Sequence, residues 1–227
     1  MVGFIFMSLP STATPSHGAA MDRMYRLQRH FYDLTRRYYL LGRDQMLDGL
    51  KAASGQSILE IGCGTGRNLI GTAKRYPACN LYGIDISNEM LKTAAQALHR
   101  AGIKTSVKIA QADATNFDSE KTLHKSRFDR IYFSYTLSMV PQWQQAIRHA
   151  TTLLAEAGEL HIVDFGQCEK WPRGLKSVLF GWLALFHVSP RPDMPAMLNQ
   201  LASEQGCTLV INKDFGGYAW RFRLSRV

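Results

Sequence analysis

The sequence predicts an α/β fold in which a mostly parallel, seven-stranded sheet is flanked by helices. Three observations support this class: short apolar runs alternate with stretches of helical periodicity, an early apolar run leads into a glycine-rich turn, and acidic residues follow several of the runs. Regular alternation of strands and helices is typical of sheets covered by helices on both faces. At 227 residues, the chain has room for one such domain and is short for two.

Composition and charge narrow the possible functions without selecting one. The chain is 46% hydrophobic and 20% charged, as in ordinary globular domains, and it has no apolar run of the ~20 residues that span a membrane. Its formal charge of +9 favours an anionic partner, either a nucleic acid or an acidic lipid surface, although a basic protein without such a partner has the same charge.

The four scattered cysteines include no C-x-x-C pair, so they predict free thiols and no metal site. We therefore expect a cytoplasmic protein, peripheral at the inner membrane surface if its partner is lipid.

Residues 1–20 are predicted to form a disordered leader, because they are rich in small residues, Ser, Thr and Pro and carry almost no charge. The apolar start is too short for a signal peptide and has no basic region before it. Met1 and Met21 are both open as the start of the protein. Residues 21–227 are predicted to form a single domain, with residues 21–53 as a helical lid and residues 54–227 as its core.

The lid is predicted to contain two helices separated by Gly42. Four apolar residues of its first part follow helical spacing: Met24, Leu27, Phe31 and Leu34. The second helix is expected over residues 43–50. A solvated face for the arginines is the simpler interpretation of this segment, and a lid over the active site is the other. Helices that precede the first strand have no partner in the sheet. We therefore expect them to cover the active site and to bring aromatic side chains to the cofactor or the substrate.

A glycine-rich turn follows the first predicted strand. Glu60 lies in that strand, and Gly62, Gly64 and Gly66 occupy alternate positions after it. Glycine can adopt positive φ and lets a ligand approach the main chain closely. A dinucleotide-binding fingerprint would need glycine at position 67, where Arg67 stands, and a phosphate-binding loop would need Gly-Lys-Ser/Thr. A turn without any ligand is the alternative at this point.

The remaining core alternates between strands and helices. The strands are expected over residues 58–61, 81–85, 107–110, 128–134, 159–165, 208–212 and 218–224. The helices are expected over residues 68–76, 89–101, 141–154 and 194–205.

Two acidic residues follow the second and third predicted strands. Asp85 comes about 20 residues after the glycine turn, where a carboxylate can accept hydrogen bonds from both hydroxyls of a ribose. It could instead cap the helix that begins near Asn88. Asp113 follows the third strand, and there a simple turn is the alternative.

Tyr135 and Ser138 lie just past the fourth strand, and Asp164 ends the fifth. In open α/β sheets, ligands bind outside the carboxyl ends of the strands. We therefore expect Tyr135 and Ser138 to face the reacting atoms.

The C-terminal third contains one unusual segment. Residues 178–188 are apolar nearly all round and are flanked by basic residues, which fits either a buried core helix or a helix that lies among lipid headgroups. The last strand alternates aromatic residues with Arg221 and Arg223, as a half-buried strand does.

The glycine turn resembles the E-x-G-x-G-x-G motif of the class I S-adenosylmethionine (SAM) methyltransferases, and the likeness extends over roughly residues 56–165. It implies a Rossmann-like sheet that closes with an antiparallel hairpin, and SAM as the cofactor. In the resembled enzymes, the acid after the third strand accepts a hydrogen bond from the adenine amino group. The resemblance assigns cofactor contacts to nine residues: Glu60, Gly62, Gly64, Gly66, Asp85, Ile86, Asp113, Ala114 and Ser134.

A narrower resemblance lies in residues 32–44, 134–141 and 217–220. These segments are similar to bacterial lipid-headgroup N-methyltransferases that convert diacylglyceryl-homoserine to its trimethylated betaine lipid and, less closely, to soluble bacterial phosphatidylethanolamine N-methyltransferases. The resemblance implies an amine-bearing lipid headgroup as substrate and peripheral contact with a membrane.

Two other functions stay open. A nucleic-acid methyltransferase is less favoured, because residues 134–137 stand where an Asn/Asp-Pro-Pro-Tyr-type tetrad would be expected. A SAM-binding protein without catalysis, which acts as a partner at a lipid surface, is the other alternative.

The expected reaction is attack of a neutral amine on a methyl group, so the amine must lose a proton. Tyr32, Tyr135 and His187 are the catalytic candidates, although no motif identifies a base. Simple packing is the alternative for His187, which lies at the end of an apolar run. Aromatic faces would attract a nitrogen that becomes a permanent cation, and four tyrosines could supply them: Tyr32, Tyr38, Tyr39 and Tyr135. Arg37 or Arg191 could bind a homoserine carboxylate.

Overall fold

The computed structural model describes residues 40–103 and 107–226, which form one sheet with helices on both faces. The strands are β1 (Ser57–Ile61), β2 (Asn80–Asp85), β3 (Val107–Gln111), β4 (Phe128–Ser134), β5 (Leu154–Phe165), β6 (Cys207–Asp214) and β7 (Ala219–Arg226). The helices are α1 (Arg43–Asp48), α2 (Arg67–Arg75), α3 (Asn88–Arg100), α4 (Ser119–Leu123), α5 (Trp143–Thr152), α6 (Arg173–Ala184) and α7 (Met194–Gln205), with a 3₁₀ turn at Phe215–Gly217.

The strand order in the sheet is β3-β2-β1-β4-β5-β7-β6. Strands β1 to β5 pair in parallel, and β7 pairs antiparallel with both β5 and β6. The predicted mostly parallel sheet of seven strands with a closing antiparallel hairpin is therefore confirmed. The order reverses between β1 and β4, and in open α/β sheets the ligand crevice lies at that point.

Alternate residues of the strands pack on opposite faces of the sheet, as the strand period requires. In β1, Leu59 and Ile61 join an apolar cluster with α5 and α7, whereas Ile58 joins a second cluster with α1. In β7, Trp220 and Phe222 are buried in the first cluster. The alternation predicted for the last strand is confirmed.

The predicted element bounds hold closely, with two differences. Strand β5 begins at Leu154 and not at residue 159, because Leu154 already pairs with Phe128 before an irregularity in the register. Helix α4 was not predicted, since five residues are too few to show a helical period. Its local signal is Asp118, whose carboxylate accepts a hydrogen bond from the Lys121 N–H at 3.1 Å.

The leader and the first predicted lid helix lie outside the described residues, and Tyr32 and Arg37 lie there with them. The division of the chain at residues 20 and 53 thus stays a prediction. The second lid helix is observed as α1, and its residues Met46 and Leu47 are buried against the sheet.

Helix α6 is largely exposed, so the interpretation of residues 178–188 as a buried core helix is wrong. Leu183 is the buried residue of this helix. Val178 is 72% exposed, and Leu185, directly after the helix, is also 72% exposed. Within residues 40–103 and 107–226, no helix combines the length and the apolar character needed to cross a membrane.

Candidate active site

A cavity opens at the carboxyl ends of β1, β2, β3 and β4. Seven of the nine predicted cofactor residues line it: Gly62, Gly64, Asp85, Ile86, Asp113, Ala114 and Ser134. Tyr135, Met139 and Val140, which follow β4, form another part of its wall. Residues from four separate loops thus meet at the edge where the strand order reverses.

Asp85 holds the glycine turn in place. Its Oδ2 accepts a hydrogen bond from the Gly64 N–H at 2.8 Å, and its Oδ1 accepts one from the Ser87 N–H at 2.9 Å. The N-cap of α3 is Ser87, whose hydroxyl accepts from the Met90 N–H at 3.3 Å. The capping role considered for Asp85 therefore belongs to Ser87, and the Asp85 carboxylate lies at the cavity wall.

The three glycines of the turn are required for different reasons. Gly62 has φ of 78°, and a Cβ there would lie 2.3 Å from Cγ2 of Thr136. Gly66 has φ of 79°, and its Cβ would lie 3.0 Å from that of Ala94 in α3. A Cβ on Gly64 would meet no protein atom within 4 Å. Gly66 lines no part of the cavity and serves close helix packing, whereas the open space at Gly64 belongs to the cavity.

Asp113 lines the cavity and also forms a turn. Its Oδ1 accepts hydrogen bonds from the Thr115 N–H at 2.8 Å and from the Thr115 hydroxyl at 2.7 Å. The turn and the cavity position are therefore compatible, and the two interpretations of this residue do not compete.

Glu60 lies beneath the glycine turn and reaches no cavity. It is fully buried, and its two oxygens accept hydrogen bonds from Nδ2 of Asn68 at 2.8 Å and from the Tyr132 hydroxyl at 3.1 Å. Burial raises the pKa of Glu60 to about 8. Glu60 thus positions Asn68 at the start of α2.

A smaller cavity adjoins the first one on the side of α1. The two share Gly62, Gly64 and Ser134, and the smaller one adds Arg43, Arg67 and Asn68. Arg43 is only 9% exposed, and its Nε donates a hydrogen bond to the Leu40 carbonyl at 3.0 Å. The expectation that the lid arginines are solvated is wrong for Arg43. Sequence analysis missed Arg43 as a site residue because the sequence of α1 has the pattern of an ordinary charged surface helix.

Ser134 lies where the two cavities meet and carries an unusual hydroxyl. The residue is 8% exposed, and its Oγ is buried without a hydrogen-bond partner among the described residues. Buried hydroxyls are normally hydrogen-bonded. A polar ligand that occupies both cavities would supply the missing partner.

Of the three catalytic candidates, Tyr135 lines the cavity. It has φ of 55°, its ring packs edge-on against Phe165 with centroids 4.6 Å apart, and its hydroxyl donates to the Leu41 carbonyl. Burial raises the pKa of Tyr135 well above its ordinary value, so the hydroxyl keeps its proton at neutral pH. His187 lies in an exposed turn after α6 and lines neither cavity, and Tyr32 lies outside the described residues.

Two residues that sequence analysis did not place in a supporting role fix the loop after β4. Asp164 accepts a hydrogen bond from the Ser138 N–H at 3.0 Å. Arg191 donates from Nε to the Leu137 carbonyl at 3.1 Å and from Nη2 to the Val140 carbonyl at 2.9 Å. These contacts hold the wall formed by Met139 and Val140.

Comparison with known families identifies the central part of the chain. Residues 58–158, which contain the glycine turn and both acids, match the family model described as a methyltransferase domain. The match spans less than half of the chain, and over this stretch the chain is similar to methyltransferase domains. Among residues 40–103 and 107–226, no group of His, Cys, Asp and Glu side chains is arranged to hold a metal ion.

Curated proteins that resemble this chain are named for different acceptors. A phosphatidylethanolamine N-methyltransferase from Cereibacter sphaeroides is 28% identical over 120 residues, which is 53% of this chain and 56% of that protein. An (S)-tetrahydroprotoberberine N-methyltransferase from Eschscholzia californica is 29% identical over 108 residues, which is 48% of this chain and 29% of that protein. The chain spans less than two thirds of the length of these relatives.

Solved structures show the same fold. The magnesium protoporphyrin IX methyltransferase of Synechocystis PCC 6803, determined with bound SAH, superposes with a TM-score of 0.66 at 17% identity. The likeness covers 92% of this chain and 96% of that one. The described residues thus have the same Rossmann-like fold as this enzyme.

The residues at the site fit SAM, the cofactor of class I methyltransferases. The larger cavity offers the carboxylates of Asp85 and Asp113 for hydroxyl and amino groups, and the smaller one offers Arg43 and Arg67 for a carboxylate. The open space at Gly64 and the unpaired hydroxyl of Ser134 lie where these cavities join.

Proposed function

We propose that the chain is a SAM-dependent N-methyltransferase of an amine-bearing lipid headgroup, with diacylglyceryl-homoserine as the preferred acceptor. The methylated product would be the trimethylated betaine lipid. The same proposal makes the protein cytoplasmic and peripheral at the inner membrane surface. The observation that carries it is the exposed, apolar helix α6, whose following segment is hydrogen-bonded to the loop that forms the wall of the site.

Helix α6 has the composition of a helix that lies at a lipid surface. Leu175 is 58% exposed and Val178 72% exposed, although both are large apolar residues. Lys170, Arg173 and Lys176 lie beside them in the sequence. Apolar side chains that enter the acyl boundary, with basic side chains at the headgroups, would bind an anionic surface.

The segment after α6 is attached directly to the site. The Ser189 N–H donates to the Ser138 carbonyl at 2.9 Å, and Arg191 donates to the carbonyls of Leu137 and Val140. A lipid that is bound at α6 would therefore have its headgroup near the loop that forms the cavity wall. This geometry favours an acceptor that stays anchored in the membrane.

The arrangement of the two cavities indicates where the chemistry would occur. When bound, SAM would supply a sulfonium methyl group whose carbon a neutral amine attacks, so that the N–C bond forms as the S–C bond breaks and the thioether leaves. If Asp85 and Asp113 hold its adenosine end and Arg43 holds its carboxylate, the reacting atoms lie near Ser134 and Tyr135. Holding the amine in line with the methyl group is chiefly a positioning task, which the fixed loop after β4 can perform.

Tyr135 would act through its aromatic ring. Its hydroxyl is protonated and donates to the Leu41 carbonyl, so a role as general base is disfavoured. An aromatic face at the cavity wall attracts an alkylated ammonium through cation–π attraction. This contact would strengthen as the nitrogen gains methyl groups and a permanent charge.

Phosphatidylethanolamine is the second candidate acceptor, and the relative from Cereibacter sphaeroides favours it. Both lipids present a primary amine on a diacylglycerol anchor, so the same surface and cavity would serve either. Arg191 already donates to two carbonyls, which makes it a positioning residue more than a ligand for the homoserine carboxylate.

The test is to offer the purified chain and SAM to liposomes that contain each lipid separately, and to weigh the lipid products by mass spectrometry. We expect gains of one to three methyl groups on diacylglyceryl-homoserine. Methylation of phosphatidylethanolamine alone would replace the first acceptor by the second. Binding of SAM without any methylated lipid would overturn the proposal and favour a non-catalytic partner of lipid surfaces.

A further inference from the structure

A further polar cavity of about 210 Å³ lies between α1 and the sheet face formed by β5, β7 and β6. It shares no lining residue with the two cavities of the active site. Its polar lining comes from Gln45 of α1, Lys51 after α1, His161 of β5, Asn212 of β6, and Arg221 and Arg223 of β7. The volume is many times what one water molecule needs.

The polar lining follows from the alternation of β7. Trp220, Phe222 and Leu224 point into the apolar cluster under α7, so Arg221 and Arg223 must point to the opposite face. Strand β7 is the second strand from the edge of the sheet, and an antiparallel sheet commonly exposes one face to water. Here α1 packs against β5, and its end covers part of the face and closes it into a cavity.

Positive charge in this cavity is only partly neutralised. Arg221 is paired with Asp214 through its Nε. Nη1 of Arg223 lies 3.9 Å from Oε1 of Glu159, which is too far for a hydrogen bond. The ammonium group of Lys51 has no hydrogen-bond partner among the described residues.

Glu159 is the carboxylate nearest to Arg223, and it is shared with other groups. Its Oε2 is 2.9 Å from Nε2 of His161, and its Oε1 accepts a hydrogen bond from the Ser225 hydroxyl at 3.2 Å. Nε of Arg130 lies 3.5 Å from Oε2. Arg223 therefore shares a single carboxylate with Arg130 and makes no hydrogen bond to it, and Lys51 has no ion pair among the described residues. Both line the cavity next to the amides of Gln45 and Asn212.

We propose that this cavity binds a phosphate oxyanion, either free or as the phosphate of a lipid headgroup. The planar fork of Arg223 suits two phosphate oxygens, and Lys51 adds a point charge from the opposite wall. The amides of Gln45 and Asn212 donate hydrogen bonds to the remaining oxygens. The proposal does not depend on the acceptor of the methyltransferase, because it uses other residues.

The experiment is a calorimetric titration of the full chain with inorganic phosphate, with sodium chloride of equal ionic strength as the reference for screening. Three variants accompany it: Arg223→Gln, Lys51→Gln and, as a charge-matched control on the exposed surface of α2, Lys74→Gln. We expect saturable phosphate binding in the wild type. The affinity should fall at least tenfold in Arg223→Gln and several-fold in Lys51→Gln, and it should change less than twofold in Lys74→Gln. Arg223→Lys, which keeps the charge and loses the fork, should be intermediate.

A second arm distinguishes the source of the phosphate. Dihexanoyl phosphatidic acid below its micelle concentration should bind more tightly than inorganic phosphate if the site serves lipid, and more weakly if it serves the free ion. Absence of saturable phosphate binding, or equal binding by all four variants, would overturn the proposal. Titration of the same variants with SAH shows that they are folded, and its outcome is independent of the phosphate result.

Discussion

The hydroxyl of Tyr135 donates a hydrogen bond to the main-chain carbonyl of Leu41, 94 residues earlier in the chain. This contact joins the loop after β4 to the segment that enters α1. Tyr135 also lines the larger cavity, and Leu40, next to Leu41, lines the smaller one. The side chain of Tyr135 thus connects the wall of the larger cavity to the segment that precedes α1.

Replacing Tyr135 should separate catalysis from cofactor binding. We expect Tyr135→Ala to abolish methyl transfer and to leave SAM affinity within a few-fold, because the proposed function puts the acceptor, and not the adenosine end of SAM, beside this ring. Tyr135→Phe keeps the ring, so it should retain most activity and lose about 1 kcal/mol of stability with the hydrogen bond. Methylation rates, calorimetry and urea unfolding measure these effects. Equal loss of SAM affinity and activity in Tyr135→Ala would contradict this placement.

The glycine turn offers a matched pair of substitutions. Gly64→Ala adds a methyl group to open space, so it should cost only about 1 kcal/mol of stability for its positive φ and should weaken SAM binding at least tenfold. Gly62→Ala adds a methyl group 2.3 Å from Cγ2 of Thr136, so it should cost a further 1–3 kcal/mol or so by overpacking. Thr136→Ala should restore part of the stability of Gly62→Ala. An intact SAM affinity in Gly64→Ala would show that this space is not used by the cofactor.

Glu60 should make stability depend on pH in a direction unusual for a carboxyl group. Its pKa is about 8 in the folded chain and near 4.5 when exposed, so between these values the folded state keeps a proton that the unfolded state has released. The stabilisation of the folded state by this proton is complete below pH 4.5 and is lost as the pH rises through 8. The free energy of unfolding of the wild type relative to Glu60→Gln should thus fall by about 1.4 kcal/mol per pH unit between pH 5 and 7.5. Denaturant unfolding at several pH values measures it, and a constant difference would mean that Glu60 ionises normally.

The exposed face of α6 should determine binding to lipid. Val178→Glu and Leu185→Glu replace side chains that are each 72% exposed, so they should leave the fold intact and reduce co-sedimentation with phosphatidylglycerol-containing vesicles at least fivefold. Gln96→Glu, on the exposed surface of α3, adds the same charge elsewhere and should change binding less than twofold. If all three variants lose binding equally, net charge and not α6 would explain the attraction.

Local patterns were enough to predict the part of the site that lies on the glycine turn and the strand ends. Gly62, Gly64, Asp85 and Asp113 follow strands whose apolar runs are short and well separated, so their position at one sheet edge follows from topology. Glu60 and Gly66 belong to the same motif, yet both face the protein interior. Glu60 contacts Asn68, and Gly66 packs closely against Ala94. Sequence spacing does not distinguish a residue that lines a cavity from one that supports it.

The rest of the site depends on contacts between distant segments. Arg43 belongs to a helix whose charges look solvated, and its burial depends on how α1 packs against the glycine turn. Asp164 and Arg191 reach the loop after β4 from different strands and loops. The exposure of α6 was left open by its apolar composition, since a core helix has the same composition.

The most direct test of the account is a calorimetric titration of the chain with SAH, beside Asp85→Ala. The account predicts saturable binding at one site per chain, reduced at least tenfold in Asp85→Ala because the variant loses both the carboxylate at the cavity wall and the hydrogen bond to the Gly64 N–H. Absence of saturable heat, or equal affinity in the two proteins, would contradict it.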